Sequence, residues 1–93
     1  MRLLAANDAT RTESLPPPKG RSRPHAWDVK RAGFGTIATI ELNVKARTFT
    51  LTPLAIAWRS APPAPSQHAT REEARAYVAA AFEMHRISRE VTA

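Results

Sequence analysis

The chain has no cysteine in its 93 residues. Disulfides and thiolate metal sites are thereby excluded, and a cysteine-free chain points to a cytoplasmic setting. Long apolar runs are also missing: none approaches the roughly 18 residues that a membrane-crossing helix needs. Met1-Arg2-Leu3-Leu4-Ala5-Ala6 is too short an apolar stretch for a secretory signal, and Asn7-Asp8 breaks it. Glycine is scarce, at three residues. Gly33-Phe34-Gly35 is too short for a phosphate-cradling loop and precedes a strand-like segment rather than a helix. The three histidines, His25, His68 and His85, lack the spacing of a zinc site. No serine sits in a nucleophile elbow. Glu72-Glu73 is the one adjacent carboxylate pair, and it belongs to a helix start. The expectation is no cofactor, no metal, no small-molecule substrate and no enzyme, since no constellation meets the geometry that catalysis requires.

What is present begins with Thr70-Arg71-Glu72-Glu73. Thr70 can accept from the N–H of Glu73 while Glu73 reaches back, which is a capping box. Behind it Ala74, Tyr77, Val78, Ala81, Phe82 and His85 recur at helical spacing. A helix is expected from about Arg71 to Ile87, with Glu72–Arg75 and Glu83–Arg86 pairs on its surface. His85 lies on its apolar side as a core-edge residue with one hydrogen bond, and His68 shapes the loop before it.

Upstream the period changes to two. His25 to Arg31 reads as a strand with Trp27, Val29 and Arg31 on one face. Ala32-Gly33-Phe34-Gly35 is a turn. Residues 36–44 are a second strand, with Ala38, Ile40, Leu42 and Val44 in phase. Asn43 to Arg47 supply the next turn. Residues 48–59 read as a third strand whose phase shifts at Pro53, from Phe49 and Leu51 to Leu54, Ile56 and Trp58. A bulge there would reset the alternation. The proline-rich loop 60–69 returns the chain to the helix. Residues 1–24, with Pro16-Pro17-Pro18, read as a disordered basic arm; Leu3-Leu4 could form a short strand. The fold expected is α+β: an antiparallel sheet of three strands, or four, with one C-terminal helix on one face. Residues 25–93 form that ββ-β-α domain, and its other sheet face is open to solvent.

The net charge is +6, and it is unevenly distributed. Residues 1–24 hold five basic against two acidic side chains, residues 25–60 again five against two, and residues 61–93 four against four. A polyanion would meet the first two segments. The plainer reading of the charge is solubility.

Two resemblances bear on that charge. Lys19-Gly20-Arg21-Ser22-Arg23-Pro24 is similar to the AT-hook, whose Gly-Arg-Pro core lies in the minor groove of A·T-rich DNA; here Ser22-Arg23 interrupts the core. The order of strands, a Trp in the first of them, and Thr70-x-x-Glu73-Ala74 opening one helix resemble the AP2 and integrase arm-type DNA-binding modules. That resemblance spans residues 25–87 and implies a sheet in the major groove backed by the helix. It nominates Lys30, Lys45, Arg47 and Arg59 as contacts. With Arg21, Arg23 and Arg31 these make up the candidate nucleic-acid-binding set, DNA ahead of RNA. The alternative is a protein-binding inhibitor or adaptor of phage or mobile-element type. It would act on a host complex through a sheet edge or the open face, with Phe34 and Tyr77 as aromatic anchors.

Overall fold

In the computed structural model the described residues are 9–59 and 62–92, the side chains of 89–92 excepted. Leu3-Leu4 lies outside them. Five strands follow in order: β1 (Thr10–Ser14), β2 (Ala26–Arg31), β3 (Gly35–Asn43), β4 (Thr48–Pro53) and β5 (Ser66–His68). A one-turn helix α1 (Ala55–Trp58) separates β4 from β5, and α2 (Arg71–Thr92) closes the chain. Every strand pairs antiparallel with its sequence neighbour, so the sheet is a meander in the order β1-β2-β3-β4-β5.

The three expected strands are present, and their alternation decides what is buried. Trp27, Val29 and Arg31 on β2 face α2, and register places Trp27 opposite Ile40 and Val29 opposite Ala38. Ile40 in turn faces Leu51. These residues, with Ala74, Val78 and Phe82 of α2, form one apolar core. Gly33 and Gly35 turn the chain between β2 and β3 at φ 86° and 76°, where a side chain would be strained.

Two strands were not expected. β1 lies inside the segment read as a disordered arm. Its helix-facing positions are Thr10, Thr12 and Ser14, set opposite Arg31, Val29 and Trp27. Those hydroxyl side chains leave no apolar alternation to read, yet Thr10 is 3 % exposed. β5 is three residues long and lies in the segment read as loop, at the other edge of the sheet.

The third strand is shorter than expected. It stops at Pro53, and the phase shift there marks an exit from the sheet instead of a bulge. The N–H of Leu54 still donates to Ile37 O at 2.9 Å, and then α1 coils under the sheet end. Arg59, at φ 60°, ends that turn with its N–H on Ala55 O at 3.0 Å. Helical spacing buries Trp58, whose Nε1 donates to Ile37 O at 2.9 Å. The same spacing turns Ile56 outward, to 87 % exposure, against the expectation that it shares a face with Trp58. The register irregularity sits on β3: Val29 faces Ala38 while Lys30 faces Thr36, so Ile37 is the extra residue. Both Ile37 and Ala38 are fully buried as a result. Val44, expected in phase with Ile40, is in the turn after β3 and exposed.

α2 starts where the capping box predicts. Thr70 Oγ1 accepts from the N–H of Glu73 at 3.0 Å. The Glu72–Arg75 and Glu83–Arg86 pairs form. His85 Nε2 meets Trp58 O at 2.6 Å, its core-edge bond. Tyr77 is 42 % exposed and packs on His68, ring centroids 5.1 Å apart, and so stands outside the core. Under α2 the Arg31 guanidinium pairs with Glu83 and donates to Thr10 Oγ1 at 3.3 Å, which ties β1, β2 and α2 together.

Candidate polyanion interface

The meander determines which loops share an end of the sheet. β1 and β3 run towards one end and β2 and β4 run away from it. The connection 15–25 between β1 and β2 and the turn 44–47 between β3 and β4 therefore lie at the same end. The link from β5 into α2 is there too, because β5 is antiparallel to β4. The turn 32–34, α1 and the C-terminal half of α2 occupy the opposite end, where Phe34 and Trp58 both pack on Phe82.

The two loops at the first end carry Lys19, Arg21, Arg23, Lys45 and Arg47, all exposed, and no acidic residue. None of the five forms an ion pair with a described residue. A turn closes the first loop, Arg21 N–H to Pro18 O at 2.9 Å. The second loop is braced by Asn43 Oδ1, which accepts from the N–H of Ala46 at 3.2 Å. Arg47 takes φ 56° to complete that turn. Beside it, on the open face, an open groove of about 420 Å³ is lined by Glu41 to Lys45 and Thr50. At the start of α2, the Arg71 guanidinium lies over the Trp27 ring, 5.0 Å from its centroid.

The open face itself is a different surface. Pairing puts Arg11, Lys30, Glu13, Asp28 and Glu41 on it, among threonines such as Thr39, Thr50 and Thr52. Two cations thus face three carboxylates, and no aromatic ring stands among the described residues of that face. Lys30 is committed to Glu13 at 3.1 Å, and Arg11 to the same carboxylate at 2.9 Å. Lys30 and then Arg11 hold Glu13 below the ordinary carboxylate range by hydrogen bonding to its charged form. Arg75 does the same to Glu72.

The candidates named from the sequence therefore divide. Arg21, Arg23, Lys45 and Arg47 lie on the two loops at one end of the sheet. Lys30 is on the paired open face. Arg31 is buried, its guanidinium spent on Glu83 and Thr10, so its charge faces α2 and not solvent. Arg59 and Phe34 are at the far end; Phe34 is half-exposed with one edge on Phe82. Tyr77 stands beside β5 on His68. Sequence reasoning passed over Arg71, which was read only as part of a helix start. The signal is indirect: an arginine at the first helical position and a tryptophan on β2, with nothing local to connect them.

Among the described residues no three of His, Asp and Glu gather as metal ligands, and no helix is long and apolar enough to cross a membrane. No protein-family model, curated protein or solved structure matches the chain.

Proposed function

We propose that the protein is a non-catalytic nucleic-acid-binding module that holds duplex DNA by its phosphates through the two basic loops at one end of the sheet. The observation that carries this reading is the placement of Lys19, Arg21, Arg23, Lys45 and Arg47 on two loops at the same end of the sheet, exposed and without a carboxylate in either loop. Cations gathered in this way release counterions from a polyanion, and that release supplies sequence-independent affinity. The open face favours a backbone reader over a single-strand reader. Single-strand modules stack bases on exposed aromatic rings, and the described residues of this face have none. Its slight acidic excess also argues for loop-first docking over the face-on groove insertion that the AP2 resemblance implies.

The test is fluorescence anisotropy with a short duplex at several salt concentrations. Five phosphate contacts would give a slope of log affinity on log salt of about −4.5. The Arg21→Ala/Arg23→Ala and Lys45→Ala/Arg47→Ala variants should each flatten it by about 2. Absence of binding at low salt, or a slope that neither variant changes, overturns the proposal. The first result would direct the search to a protein partner.

A further inference from the structure

We infer that Arg71 is a further phosphate contact of this interface, held in place for that purpose by Trp27. The inference rests on the duplex-binding reading above and extends it from the loops to the start of α2.

Three observations carry it. Arg71 is exposed, yet its guanidinium is positioned 5.0 Å from the centroid of the Trp27 ring. That ring is itself buried and packed: Trp27 is 7 % exposed and meets Phe49, centroids 5.7 Å apart. Arg71 forms no ion pair with a described residue, although Glu72, which is held by Arg75, lies within its electrostatic reach. The donor fork of Arg71 is therefore left for an outside acceptor. It is also at the end of the sheet where the five loop cations stand, so a strand of phosphates lying across the loops passes the helix start.

The aromatic contact makes the residue type matter. A guanidinium can rest on a π-face and still present N–H groups to a phosphate. It also surrenders less rotamer freedom on binding than a cation that waves in solvent. A lysine at the same position keeps the charge but loses the fork. The plain alternative is that Arg71 only covers the indole, as long basic side chains often do.

The experiment compares wild type, Arg71→Met and Arg71→Lys by duplex titration, read by anisotropy and by tryptophan emission. Trp58 is 1 % exposed at the opposite end, so a ligand-induced change reports Trp27. Methionine retains an apolar cover over the ring, and thermal melts check that each variant folds. The expected result is a salt slope lower by about 1 in Arg71→Met, with affinity down roughly 3- to 10-fold at moderate salt. Arg71→Lys should recover the slope but not the full affinity, and the emission change on binding should be largest in wild type. If Arg71→Met binds duplex with wild-type slope and affinity, Arg71 is a cover and the inference fails while the loop reading stands. If wild type itself binds no duplex, the loop reading fails first.

Discussion

Replacing Glu83 by leucine should be the most damaging single change to this fold. The Glu83 side chain is 4 % exposed and accepts from two arginines: Arg31, 8 % exposed, and Arg86, 32 % exposed. Leucine fills much of the space but removes the counter-charge. Arg86 can turn to water. Arg31 cannot do so easily, since it lies between β1 and α2, where it also donates to Thr10 Oγ1. Removing the carboxylate partner of a charge in such a place costs about 3–5 kcal/mol. A chain of this length has about 5–14 kcal/mol in total, so the variant should lose a large part of its stability and melt more than about 12 °C lower. The assay is urea unfolding followed by tryptophan emission. Its control is the Arg31→Met/Glu83→Leu double variant, which removes both charges and should recover most of the loss. A loss under about 1 kcal/mol in Glu83→Leu would refute the reasoning, because Arg31 would then reach solvent. A double variant no more stable than the single one would refute it too, since packing and not charge would be at fault. The acid limb gives an independent check. Arg86 first, and Arg31 after it, hold the Glu83 carboxyl below its ordinary 4.5 against the opposing pull of burial. A depressed folded-state value adds stability that is complete above the unfolded value and is lost as pH falls through the folded one. The stability gap between wild type and Glu83→Gln should therefore be constant above about pH 5 and close as the pH drops further below 4.5.

Three smaller perturbations test other links. Thr70→Ala removes the acceptor for the Glu73 N–H and should cost about 1 kcal/mol in denaturant unfolding; no loss would mean the cap is idle. Trp58→Phe deletes the Nε1 bond to Ile37 O, a carbonyl that still accepts from Leu54, so the cost should stay near 1–2 kcal/mol. Arg47→Gly relieves a left-handed residue in the β3–β4 turn and removes a cation from the interface. Stability should rise by about 1 kcal/mol while the duplex salt slope falls by about 1, and a parallel change in both would show that the turn acts on binding through folding.

The parts of this protein whose chemistry is local can be read from its residues alone. The period-two runs around Trp27 and Ile40, the glycines of the β2–β3 turn, the capping box at Thr70 and the stripe of Ala74, Val78 and Phe82 each follow from steric and hydrogen-bonding rules acting within a few residues. Tertiary structure alone decided what depends on a partner far along the chain. β1 is a strand because β2 offers it a hydrogen-bonding edge; Thr10, Thr12 and Ser14 have no apolar pattern of their own. Pro53 sends the chain into α1 because the sheet end has room for Trp58 beneath Ile37. Arg31 and Arg21 look alike as letters, and only packing makes one the buried partner of Glu83 and leaves the other on a solvent-facing loop. The basic end is likewise a product of topology. An antiparallel meander returns residues 15–25 and 44–47 to one end of the sheet, and no pattern within either segment records that they are neighbours.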